Sequence, residues 1–335
     1  MSILDRLLRG GRTPSRPVGE AMERILRLSP QLRLARRCQA RLEPAMEIAL
    51  KYANEIVAAV PAAREVSAAV WNSDPYIHAF FAAPDDIARV LSRSADLRGF
   101  FEKNPSMPEA YAVLGMAMSS RHRLGVALEG ETLRRDVLQE TISFSDHQVR
   151  MCGRTEAELR EEIVRRLVDQ LGLEGLTVIA ADKTRRDTLE QEQALLKTRL
   201  RLLESQGVGV RSVLGGALIV ESQELERVQE EIEENERNLR DLGIRSEALE
   251  RELDQLCELL ANPSPHLYIE SKRLRLDRMN VVLPENGAQS EQLIFRLARI
   301  PTTPPQVRAF ALVRFARTEL LPAISMLDEA ARLLR

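Results

Sequence analysis

From Val18 to about Met118 apolar residues recur at three- and four-residue steps, the spacing that places them on one helix face. Ser29-Pro30 reads as a helix start, because proline at the first helical position lacks only an N–H that would go unused. Leu34, Cys38, Leu42, Ala45, Ala49, Tyr52 and Ile56 then form one buried face. Pro61, Asp74-Pro75, Pro84 and Pro108 each follow a break and open a shorter helix. The segment 18–118 is therefore expected to be a helical bundle.

The period changes near residue 120. His122, Leu124, Val126 and Leu128 sit two apart and end at the turn Glu129-Gly130-Glu131. Ile142 and Phe144 alternate with serines, and Val149 and Met151 alternate with Gln148 and Arg150. With Asp146-His147 between them, 141–152 predicts a β-hairpin. Thr155, Glu158 and the series Leu159, Ile163, Leu167, Leu171 predict a capped amphipathic helix closed by Gly172, and 176–180 predicts a short buried strand.

Residues 185–206 and 221–260 carry a heptad pattern. The seam Leu225, Val228, Ile232, Asn235, Leu239, Leu242, Ser246, Leu249, Leu253, Leu256, Leu260 is apolar at nine of eleven positions. The earlier segment contributes Leu189, Gln193, Leu196, Leu200 and Leu203. Four glycines between 207 and 216 let the chain reverse, so the two segments are expected to pair as an antiparallel coiled-coil hairpin. At about 1.5 Å per residue the first helix spans roughly 33 Å and the second about 60 Å, which leaves the second in need of a further partner.

After Asn262 the two-residue alternation returns at Leu267 and Ile269, Leu274 and Leu276, Val281 and Leu283, Leu293 to Leu297, and Val307 to Phe315. Thr318-Glu319 caps a terminal helix with Leu320, Ile324, Leu327 and Leu334. The expected fold is α+β and predominantly helical. It comprises a basic amphipathic tail and linker (1–17), an N-terminal helical bundle (18–118), an antiparallel-sheet α+β domain (119–180 plus 262–335) and an inserted antiparallel coiled-coil hairpin (181–261).

Composition narrows the function classes. With 335 residues and 44% hydrophobic content, the chain can fill two or three cores. Lys+Arg 48 against Asp+Glu 50 excludes a generally basic nucleic-acid binder and an acidic disordered chain. Only five of those cations are lysines, a bias that follows a GC-rich genome. Aromatics, at 4%, are too scarce for a stacking platform. No stretch approaches the roughly 20 apolar residues of a membrane span, and the N-terminus is too short and charged for a signal peptide. Cys38, Cys152 and Cys257 are widely separated, which reads as buried free thiols in a reducing cytoplasm.

Candidate chemistry is sparse. Asp146-His147 with Cys152 is the one cluster that invites a nucleophilic reading, and the same residues serve ordinary turns. His78, His122, His147 and His266 show no metal-ligand spacing, and there is no CxxC, so neither a metal nor another cofactor is expected. The glycine-rich 207–216 lacks the lysine of a phosphate loop. Its flanking apolar residues Val208, Val210, Val213, Leu214, Leu218 and Ile219 are read as a partner-binding tip, and Leu249, Leu253 and Leu256 as an unpaired seam for a partner or a second copy.

Charge is uneven along the chain. Residues 1–41 hold ten Arg against Asp5, Glu20 and Glu23, and 221–258 hold fourteen acids against five Arg. A weak peripheral membrane contact through residues 1–16 is compatible with Ile3, Leu4, Leu7 and Leu8 on one face; nucleic-acid binding lacks any reader motif. The sequence thus predicts a cytoplasmic, non-enzymatic scaffold that presents its hairpin to protein partners, with homodimerisation as one form of that association. The competing readings are a hydrolase or transferase near Asp146/His147, and recruitment to a membrane surface or nucleic acid by the basic N-terminus.

Overall fold

The computed structural model describes residues 15–129, 132–210, 218–242, 248–283, 292–300 and 306–322. Among these residues the chain is a mixed α+β protein with eight helices and a six-stranded, mostly antiparallel sheet. It divides into two compact units, Met1–Leu50 with Val168–Pro263, and Lys51–Leu167 with Ser264–Arg335.

The first unit is helical. Helix α1 (Arg16–Leu28) buries Val18, Ala21, Met22, Ile25 and Leu26, the face its periodicity marks. The segment after Pro30 differs from the expected continuous helix. Pro30–Leu34 is a 3-10 turn, Arg37 takes a left-handed φ of 51°, and α2 (Cys38–Ala58) starts only there. The break is held by long-range contacts that periodicity cannot show. The Glu250 carboxylate accepts from Arg36 N–H at 2.7 Å and from the Arg41 guanidinium, which also pairs with Asp254.

Helix α6 (Glu156–Val210) corrects two further expectations. Gly172 does not end a helix and 176–180 is not a strand; both lie inside this 55-residue helix, about 80 Å long at 1.5 Å per residue. Thr177-Val178-Ile179 has strand composition, yet the buried positions Val164, Val168, Leu171 and Ile179 keep helical spacing. The glycines serve close packing. A Cβ on Gly172 would lie 2.7 Å from Ile25 Cδ1 and Cγ1, and one on Gly175 would lie 2.8 Å from Leu256 Cδ1. The stretch 221–260, expected to be helical, is described as helix α7 (Leu218–Asp241) and helix α8 (Ala248–Ala261); 243–247 lie outside the described residues. Leu253, Leu256 and Leu260 of α8 are fully buried.

The second unit is built on the sheet. Strands β2 (Glu109–Glu129), β3 (Thr132–Gly153), β4 (Ile269–Arg275), β5 (Gln292–Ile300) and β6 (Gln306–Ala316) are ordered β3-β2-β6-β5-β4, and β1 (Arg64–Glu65) pairs parallel with β6. The alternating runs at Ile269–Leu274, Leu293–Leu297 and Val307–Phe315 lie in these strands, as expected, whereas the run at Val281–Leu283 forms only isolated bridges, Val281 to Thr141 and Val282 to Leu276. Pro61 and Pro108 precede strands rather than helices, because the residues after them pair with β6. The expected hairpin at 141–152 is instead one edge of a longer hairpin, β2–β3, in which Asp146 and His147 lie within β3.

Three register shifts, at Ala112/Val113, Gly115/Ala117 and Gly125/Ala127, give β3 one extra residue each time. Asp136, Asp146 and Met151 occupy these bulges with φ of 63°, 47° and 53°. A bulge adds twist and needs a residue tolerant of left-handed backbone, which aspartate is. The 280–282 turn then bridges back to β3 at Thr141 and Glu140, so the sheet curls toward closure.

One face of the sheet is covered by α3 (Pro75–Phe80), α4 (Pro84–Ser92) and α5 (Ala95–Lys103). Helix α3 starts as expected: Pro75 is its first residue, and Asp74 accepts from the N–H groups of Tyr76 and Ile77 at 2.8 and 3.3 Å. Its Phe80 meets Phe144 and Phe295, with centroids 5.1 and 6.0 Å away, at the centre of this core. The opposite face carries Leu159, Ile163, Val60 and Phe310. There Arg160 donates to the carbonyls of Val57, Val60 and Pro61 at 2.6, 2.9 and 3.0 Å, satisfying the C-terminal turn of α2.

Candidate functional site

Asp146, His147 and Cys152 do not assemble into a nucleophilic centre. His147 Nε2 donates to the Phe80 carbonyl at 2.8 Å, and its ring stacks on Phe81 with centroids 4.7 Å apart. The Asp146 carboxylate is committed to Arg308 at 2.7 Å and to the Gln148 amide at 3.1 Å. Those bonds, Arg308 first, hold its pKa below the ordinary carboxylate value. Burial pushes the Cys152 thiol up to about 12, which keeps it protonated. Cys257 is likewise pushed up, to about 11, and Cys38 is raised, both mainly by burial.

Burial also lowers the pKa of His147. A base whose folded pKa is depressed binds protons more readily when unfolded, so its contribution is intact above its ordinary pKa near 6.5 and erodes as pH falls below it. The urea midpoint is expected to drop between pH 7 and pH 5 in the wild type and to drop less in His147→Gln. Equal slopes for the two proteins would show that His147 does not carry the effect.

The sheet face opposite the phenylalanine core carries a partly open apolar cavity of about 310 Å³. Ile56 and Val57 of α2, Ile163 and Leu167 of α6, and Leu267, Ile269, Val113 and Phe310 from the sheet side form its wall. Tyr52 Oη donates to the Leu267 carbonyl at 2.8 Å and ties the chain before β4 to α2. Strand register puts Val113, Gly115, Gln148, Arg150 and Phe310 on this face, through the pairs Val113–Arg150, Gly115–Gln148 and Gly115–Phe310, and Arg308 joins them two residues before Phe310 on β6. Gly115 leaves space: a Cβ there would have only Gln148 O at 3.7 Å and Arg308 Nε at 3.9 Å as neighbours.

Sequence reading missed this site. The usable signal was one glycine inside the continuous apolar run Val113-Leu114-Gly115-Met116-Ala117, which in a strand marks a bulge or a close approach. A second, more open cavity of about 670 Å³ lies at the edge of β3 and shares Met151 with the first. Several of its charges are already paired: Glu162 with Arg165 and Arg166, Glu158 with Arg154, and Asp96 with Arg150.

The residues proposed as a partner surface are distributed unevenly. Val208 and Val210 lie in the last turn of α6, and Leu218 and Ile219 in the first turn of α7. Val213 and Leu214 lie outside the described residues. In α8, Leu249 is half-buried, whereas Leu253 and Leu256 expose no surface.

Between α6 and α7, contacts run in antiparallel order. Arg186 donates to the Leu242 carbonyl, Asn235 Nδ2 to the Leu189 carbonyl at 3.1 Å, and Arg199 pairs with Glu224 at 2.6 Å. Leu189, Gln193, Leu196, Leu200 and Leu203 are less exposed than their neighbours on α6, and Val228 and Asn235 are buried on α7. Leu195 and Leu202 of α6 stand exposed, at 71% and 56%.

The residues 1–14 of the basic N-terminus lie outside the described residues. Among the described residues no helix is long and apolar enough to cross a membrane, and no group of three or more His, Cys, Asp or Glu side chains is placed to hold a metal ion. Comparison with protein-family models, curated proteins and solved structures finds no match to this chain.

Proposed function

We propose that the protein is a non-enzymatic, cytoplasmic interaction protein that reaches protein partners through α6 and α7, paired as an antiparallel coiled-coil hairpin. The observation that carries this reading is the ordered series of contacts from Arg186–Leu242 to Arg199–Glu224, with exposed leucines on the same stretch of α6. These contacts support a paired seam between the two helices, and exposed Leu195 and Leu202 then offer apolar area to another molecule. The acidic excess of 221–258 selects among partners by charge, favouring one with a basic face.

Affinity capture from the native cell tests this, with wild type set against the double variant Leu195→Glu, Leu202→Glu. Both side chains are exposed, so the melting temperature is expected to stay within the small range of surface substitutions. At least one captured protein should be lost from the variant, and its purified form should bind the variant more than about thirtyfold more weakly, the usual mark of an interface hot spot. Recovery of the same proteins at the same affinity by the double variant would overturn the proposal.

A further inference from the structure

We infer that the apolar cavity beneath β2, β3 and β6 is a binding site for a small anionic amphiphile, a carboxylate on an aliphatic chain of about ten carbons. The first ground is size and lining. At about 30 Å³ for each water-sized group, 310 Å³ holds about ten such groups, within the lower range of ligand pockets. Walls of Ile56, Val57, Ile163, Leu167, Leu267 and Phe310 offer a chain nothing to hydrogen-bond, and water filling the space would find few partners.

The second ground is the polarity of the lining on β3 and β6. Its polar side chains there are Gln148, Arg150 and Arg308, all able to donate. Arg308 uses Nη1 and Nη2 on Asp146, while its Nε lies 3.9 Å from the open Cβ position of Gly115. Arg150 is mostly exposed and held loosely, 3.7 Å from Asp96 and 3.4 Å from Gln148 Oε1. A carboxylate at Arg308 Nε and Arg150 would take charge-assisted bonds that the protein's own acids leave open.

The third ground is the backbone. Met151 lines the cavity with a left-handed φ of 53°, a conformation that costs an unbranched non-glycine residue energy and that recurs where side chains are aimed at ligands. Gly115 across the hairpin keeps the space beside Arg308 open, which a side chain longer than alanine's methyl would occupy.

The test is isothermal titration of the full chain with decanoate and with decanol. Decanoate is expected to bind saturably at one site per chain, and decanol at least about tenfold more weakly. Arg150→Gln and Arg308→Gln should each weaken decanoate several-fold and leave decanol unchanged. Gly115→Leu should abolish binding of both, with a melting temperature equal to or above wild type because the new side chain fills empty space. Gly115→Ala, whose methyl makes only ordinary contacts, should retain binding and controls for the backbone change. Absence of decanoate binding, or binding that Gly115→Leu leaves intact, would overturn the site. Equal affinity for decanol and decanoate would overturn the assignment of an anionic head.

Discussion

Phe295→Ala is expected to lower the stability of the sheet unit by about 3–5 kcal/mol, the range for removing a fully enclosed aromatic ring. Phe295 is 2% exposed. Its ring meets Tyr76 at 5.8 Å, Phe80 at 6.0 Å and Phe144 at 5.1 Å, so one truncation strips contacts from α3, β3 and β5 together. The cavity cannot close by a rotamer change alone, because β5 is fixed by its ladders to β4 and β6 on either side. For a unit of this size each kcal/mol is worth about 2–4 °C, so a melting temperature lower by about 10 °C is the readout. Val307→Ala on β6, at a half-exposed position, is the control and should change stability by less than about 0.5 kcal/mol. A similar small change for Phe295→Ala would contradict the packing described.

The double change Leu253→Glu, Leu256→Glu is expected to unfold the helical unit without halving the mass of the native protein. Both leucines are at 0% exposure within the single chain, and Leu256 Cδ1 lies against the backbone at Gly175 of α6. Each substitution forfeits about 2–5 kcal/mol of buried aliphatic packing and asks an ionised carboxylate to leave water, which costs more. The sum reaches the whole stability of an ordinary domain, about 5–15 kcal/mol. Circular dichroism should show helix loss, and light scattering should show aggregates or an expanded monomer. A folded protein of half the wild-type mass would mean instead that this seam is an interface between two copies.

How much of this was legible beforehand differs element by element. The strands after residue 262 were readable because each has one face in the core, so their two-residue alternation survives in the sequence. The starts of α3 and α6 were readable because capping is local: Asp74-Pro75 and Thr155 act within four residues of themselves. The helix over 185–206 was readable because the repeat of three and four from Leu189 to Leu203 marks one helix face. Asp146-His147 misled because an aspartate that tolerates left-handed backbone suits a turn and a bulge equally. Only pairing with β2 tells them apart. The cavity had almost no trace, since its wall comes from α2, α6 and every long strand of the sheet.

Periodicity, capping and composition therefore determined, from the chain alone, which stretches alternate, where several helices begin, and that helices and an antiparallel sheet coexist. These are properties of neighbours within one or two turns or a few strand residues, and the free energies behind them are local. Tertiary contact decided the rest. Gly172 and Gly175 became close-packing points inside a long helix rather than its end, because Ile25 and Leu256 arrive there from far along the chain. Arg36 and Arg41 broke a continuous helix because Glu250 supplied the competing hydrogen bonds. The donors Arg308 and Gln148 came to border an apolar space because strand register, set by β-bulges at Asp146 and Met151, turned them onto the same face.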